Sequence, residues 1–231
     1  MKTGIILALF LAACANAWHQ ANFNPEHKYV AGSKNDYAFK LTAKTSLGEI
    51  ALTADIAQAV KKVYENGDAD IETAVKNTAL TIDGNPRQSQ DQPASTIRID
   101  KFGTPLNKPD EASTGRGTRL NFLRYGLYYG EKLLAVGDTY TIDRKEKDDP
   151  SLQAKGTGKL LGVEGGKARL QISVDVTSPQ SEKPMHMDAT AIVDSATGLL
   201  VDLSGQLKDM PLGPGASAAN ASFTFARKSK T

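Results

Sequence analysis

The chain has 231 residues, 40% of them hydrophobic and 23% charged, with 28 Lys and Arg against 26 Asp and Glu and a single cysteine. Charge so nearly balanced and interspersed gives no electrostatic footprint for nucleic acid. One thiol excludes an intrachain disulfide, so stability has to come from core burial, for which a chain of this length suffices.

The N-terminus has the layout of an export signal, residues 1–17. Lys2 precedes an apolar run from Gly4 to Ala13. As a helix that run would reach roughly 15 Å, too short for a hydrocarbon core of about 30 Å. No later stretch approaches 18 consecutive apolar residues, so no transmembrane helix is expected. Two cleavage readings stay open. Leu11-Ala12-Ala13-Cys14 resembles the lipobox of bacterial lipoproteins, which implies lipidation of Cys14 and a membrane anchor. Ala15-Asn16-Ala17 is an A-x-A site that would release a chain starting at Trp18. The first is preferred, because the only cysteine sits where a lipobox needs it.

Residues 18–34 are polar and aperiodic, with Pro25 and Gly32, and read as a tether. Leu52, Ile56, Val60 and Val63 then lie at helical spacing, but an internal similarity argues for strands. Glu65-Asn66-Gly67-Asp68-Ala69-Asp70-Ile71 lines up with Glu164-Gly165-Gly166-Lys167-Ala168-Arg169-Leu170, and the turn before Gly103 parallels the turn before Gly198. Asn-Gly and Gly-Gly are hairpin signals. Residues 49–64 and 68–83 are therefore expected as long strands. Residues 84–95 and 107–118, rich in Pro, Gln, Asp and Ser, read as loops.

Thr118 to Tyr129 is the one helix expected, at about 118–129, with a Leu120, Leu123, Leu127 stripe and Gly130 as its stop. Phe122, Tyr125 and Tyr129 form a second apolar face, which suits either plain core or the lining of an apolar pocket. Beyond it, Ala168, Leu170, Ile172, Val174 and Val176 alternate strictly, as do Met185 to Val193 and Ala219 to Phe225. That period of two puts one face in a core and one in water. The reading is mainly β (α+β): antiparallel curved strands in one domain over 35–231. It comprises two related halves, about 35–106 and 136–231, joined by the helix.

Met185-His186-Met187 offers soft ligands for Cu(I), but on a strand His186 points away from both methionines. Asn66-x-Asp68-x-Asp70 lacks the glycine and glutamate of a calcium loop, having Ile71 and Asn77 in their places. Gly156-x-Gly158 and Gly166-Lys167 miss the dinucleotide and phosphate-loop patterns. Three scattered histidines leave no Ser–His–Asp set. No catalytic, cofactor or metal residue is assigned.

Val136-Gly137-Asp138-Thr139-Tyr140 carries the one family likeness. With the leader and the long strands, it resembles an uncharacterised family of exported bacterial lipoproteins whose second half opens on Val-Gly-Asp-[Ser/Thr]-aromatic. A helix held against curved strands is also similar, at the level of fold, to bacterial lipid-carrier lipoproteins. The likeness implies an envelope location and brings no activity. The expected function is non-enzymatic binding of an apolar small molecule or an envelope protein. The alternatives are a carboxylate-based hydrolase or a purely structural envelope protein.

Overall fold

A computed structural model describes residues 22–45, 48–106, 131–145, 151, 153–177, 183–211 and 218–229. They form one antiparallel sheet of twelve strands: β1 (Lys34–Thr45), β2 (Gly48–Val63), β3 (Ala69–Ile82), β4 (Asn85–Arg87), β5 (Gln92–Ile99), β6 (Pro105–Leu106), β7 (Thr139–Lys145), β8 (Gln153–Glu164), β9 (Lys167–Thr177), β10 (Met185–Asp194), β11 (Leu200–Met210) and β12 (Ala219–Arg227). The order is β6-β5-β3-β2-β1-β12-β11-β10-β9-β8-β7, with β4 paired to β3 beside this path. The first and last strands thus meet in the middle, and β6 and β7 are the edges.

The two strands expected at 49–64 and 68–83 are β2 and β3, paired as a hairpin across Tyr64–Asp68. The stretch 84–95 is not a plain loop. It holds β4 and the start of β5, and its prolines occupy places a ladder tolerates: Pro86 lies in a three-residue strand, and Pro93 lies where the β3–β5 register slips. The helix expected at about 118–129 lies outside the described residues, and no described residue is helical.

Alternation organises the core. Tyr37, Phe39, Leu41 and Ala43 of β1 share one face with Phe223 and Phe225 of β12 and with Leu203 and Leu207 of β11. That face continues through Met185, Met187, Ala189 and Ala191 of β10 to Leu170, Ile172, Val174 and Val176 of β9. The opposite face of these strands carries Lys, Asp, Ser and Thr.

Val136-Gly137-Asp138-Thr139-Tyr140 leads into β7. The Asp138 carboxylate accepts the Ala135 N–H at 2.8 Å, and the backbone bonds twice to Leu160. Tyr140 then lies directly over Gly158, its cross-strand partner, where any Cβ would collide with the ring. Glycine on β8 is what lets that aromatic lie flat on the strand.

The sheet is strongly rolled. The His27 N–H donates to Lys101 O at 2.7 Å, and the next amide, Lys28, donates to Thr197 O at 2.8 Å. Neighbouring backbone nitrogens are less than about 4 Å apart, so the two acceptors lie within about 10 Å. Along a flat sheet the β5–β6 and β10–β11 turns would stand about 29 Å apart, six strand spacings. Rolling brings them together.

Candidate functional site

Rolling gives the sheet an inner face and two unlike ends. At the near end lie the turns at Tyr64–Asp68, Asp100–Gly103, Gly165–Gly166 and Asp194–Gly198. Lys101 packs on Gly67, and Ser195 N–H donates to Gly166 O at 2.9 Å. In both Asp turns the carboxylate gathers backbone donors: Asp100 from Phe102 and Thr104, Asp194 from Ala196 and Thr197. At the far end lie the Thr45–Gly48 and Asp83–Gly84 turns.

A strap closes the near end. Residues 22–33, expected as part of a tether, are bonded across it. Phe23 is fully buried in the main core and exchanges two backbone hydrogen bonds with Leu134. Glu26 pairs with Lys101 at 2.7 Å. Tyr29 packs on a second cluster of Val60, Ala69, Ile71, Ile97 and Ile99, and Gly32 and Ser33 bond to Val60. Gly198 has to be glycine here: its φ is +69°, and a Cβ would come within 2.7 Å of Glu26 O. His27 Nε2 has no contact with solvent, and burial lowers its imidazole pKa to about 3. Tyr29, beside its Nδ1 at 3.1 Å, is raised by the same cause.

Toward the far end the inner face of β2 and β3 opens. Ladder partners place Ile50, Leu52 and Ile56 opposite Ala43, Leu41 and Tyr37 on one side. On the other side they stand opposite Ile82, Leu80 and Val75. Residues directly opposite share a face, so all six aliphatic side chains line the inside. All six are half-buried, whereas Val60, Ala69 and Ile71 of the same two strands, nearer the strap, are buried. This aliphatic wall is the candidate site. Sequence reading missed it as a set, although Ile50-x-Leu52-x-Ala54-x-Ile56 has the period of a strand.

The outer face carries charge networks. His186 places Nδ1 2.7 Å from Asp175 and Nε2 3.1 Å from Asp188, and Ser173 donates to Asp188 at 2.8 Å. The bond to Asp175 raises the His186 pKa. The Ser173 hydroxyl lowers that of Asp188, aided by His186. The serine bonds the carboxylate and not the imidazole, so the group lacks the order a nucleophile needs. Met185 and Met187 are buried on the opposite face. No group of three metal-binding side chains occurs among the described residues.

On β3, Asp70 accepts from Tyr64 at 2.9 Å and pairs with Arg98 at 3.1 Å. The Arg98 guanidinium also bonds the tyrosine hydroxyl and lies over its ring. Asp68 belongs to the turn, bonded to Asn66. A trough of about 660 Å³ lies over Ala57, Ala59 and Ala74, with Lys34, Asp36 and Glu72 at its rim. Cys14, Phe122, Tyr125 and Tyr129 lie outside the described residues.

No family model matches the chain, and no curated protein is similar to it. Among solved structures, a candidate lipoprotein from Parabacteroides distasonis is 11% identical, over 90% of this chain and 98% of its own, with a TM-score of 0.35. DynF from the dynemicin biosynthesis pathway of Micromonospora chersina is 12% identical, over 90% of this chain and 83% of its own, with a TM-score of 0.23. Likeness at these scores carries no functional argument.

Proposed function

We propose that the protein is an exported, lipid-anchored binding protein that holds an apolar ligand inside its rolled sheet. The observation that carries this reading is the gradient along the inner face. On β2 and β3, Val60, Ala69 and Ile71 are buried beside the strap, and Ile50, Leu52, Ile56, Val75, Leu80 and Ile82 are half-buried toward the other end. An aliphatic wall left partly open is costly in water unless something covers it. Concave apolar surfaces are where small ligands bind. Degenerate repetition of one strand unit in two halves would generate such a wall, and the matching Asp100–Gly103 and Asp194–Gly198 turns support that origin.

A neutral apolar dye titrated into the protein should saturate near one equivalent. Leu52→Gln and Leu80→Gln should each weaken dye binding about tenfold while costing under about 2 kcal/mol of stability, since both side chains are half-exposed. Phe122, Tyr125 and Tyr129 are the aromatic residues that the sequence offers to the same interior, and their alanine variants belong in that titration. If no saturable binding occurs, the carrier reading is lost and a partner-binding or structural role remains.

The anchor rests on Leu11-Ala12-Ala13-Cys14. Cys14→Ser should shift the protein from the detergent phase to the aqueous phase on temperature-induced phase separation. An unmodified protein that partitions into water, with Trp18 as its first residue, would show free secretion instead.

A further inference from the structure

The inner face at the far end also carries a cation, which an aliphatic wall does not account for. Arg87 stands directly opposite Leu80 in the β3–β4 ladder. Leu80 faces Leu52, and Leu52 faces Leu41 of the core. Opposite residues of an antiparallel pair share a face, so the Arg87 side chain leaves the sheet on the inner side, beside the half-buried strip. It is exposed, and among the described residues it makes no hydrogen bond or ion pair.

The carboxylates around it are engaged elsewhere. Asp83 lies against Gly48 and accepts the Glu49 N–H at 2.8 Å. Asp91 accepts the Thr78 N–H at 3.0 Å. Glu49 stands opposite Lys44 in the β1–β2 ladder, on the outer face.

From this juxtaposition we propose that the ligand is an anionic amphiphile, a single acyl chain ending in a carboxylate. This rests on the reading of the inner face as a ligand site. The chain lies along Leu52, Leu80, Ile56 and Val75, and the head is met by Arg87. The chemistry suits both parts. A guanidinium is a planar fork that takes a carboxylate through two parallel hydrogen bonds. Its three-carbon stem can lie along apolar surface while the charge stays at the water boundary. The ligand is thereby oriented, tail toward the strapped end and head at the opening. An edge strand also uses cations to discourage strand addition, and a charge serving only that purpose would be indifferent to the ligand's head.

The test compares hexadecanoate with hexadecanol, below their micellar or aggregation limits, on the full-length protein and on Arg87→Gln. The wild type should bind the carboxylate about fivefold more tightly than the alcohol, the scale of a partly exposed ion pair. High salt should narrow that gap. Arg87→Gln should abolish the preference, and an unchanged urea midpoint shows that the variant is folded. Equal affinities in the wild type, or a preference that survives Arg87→Gln, would overturn this assignment while leaving the apolar site standing. Binding of neither ligand would instead remove the apolar site itself.

Discussion

The two histidines that the structure describes titrate in opposite senses, and each marks a different part of the molecule. His27 lies in the strap, held neutral by burial with a folded pKa of about 3. The unfolded chain takes up a proton near pH 6.5, so this residue costs stability progressively as pH falls from 6.5 toward 3. His186 sits between two carboxylates with its pKa raised, chiefly by the bond to Asp175. Its contribution is complete below pH 6.5 and is lost as pH rises through the raised value. Asp188, lowered mainly by Ser173, contributes above its ordinary 3.8 and loses that contribution in acid. The outer network is therefore strongest between about pH 4 and 6.5. Urea midpoints measured from pH 4.5 to 8.5 should separate the two histidines. His27→Gln should flatten the slope below 6.5, and His186→Gln the slope above it. Slopes unchanged in both variants would show that neither ring senses folding.

At the scale of elements, β-bulges decide how much of this fold could be read beforehand. β9 runs from Lys167 to Thr177 without a register slip against β10, and its alternation was plain in the sequence. β3 is different. The ladder to β2 slips between Thr53 and Asp55, where Asn77 adopts φ +50°. The extra residue moves the inward set from odd positions, Ile71 and Val75, to even ones, Leu80 and Ile82. Alternation therefore breaks midway along the strand, and the aliphatic wall did not announce itself. β8 and β11 carry similar slips at Leu160/Gly162 and Leu207/Met210. On β2 a further blur comes from Ala51, Ala57 and Ala59 on the outer face, which weaken the contrast between faces. Turns were legible because their chemistry is local: Asn66-Gly67, Gly165-Gly166 and the two Asp turns each satisfy their own backbone. Arg87 was not legible, since its place depends on the ladder that puts it opposite Leu80 and not on any motif.

For the whole molecule, the strap is what couples two parts of the sheet that do not pair with each other. β5–β6 and β10–β11 are separated by four strands in the sheet, and no described ladder joins them. Consecutive amides of His27 and Lys28 do so, and the Glu26–Lys101 pair and the Phe23–Leu134 bridge extend the contact on either side. A rolled sheet held in this way should resist opening only as long as the strap is seated. Phe23 is the anchor to test, because it is fully buried although it lies outside every long strand. Truncating a fully buried aromatic typically costs about 3–5 kcal/mol, whereas the same change in a solvated tether would cost nothing measurable. Phe23→Ala should therefore lower the urea midpoint by that amount. It should also speed hydrogen exchange at the His27, Lys28 and Gly32 amides, whose acceptors lie in three different parts of the sheet. Amides in the middle of β9 and β10, far from the strap in the ladder, should lose protection only to the extent that global stability falls. An unchanged midpoint, or exchange at His27 and Lys28 already as fast as in a free peptide, would mean that the near end is not closed, and the inner face would then be open along its whole length.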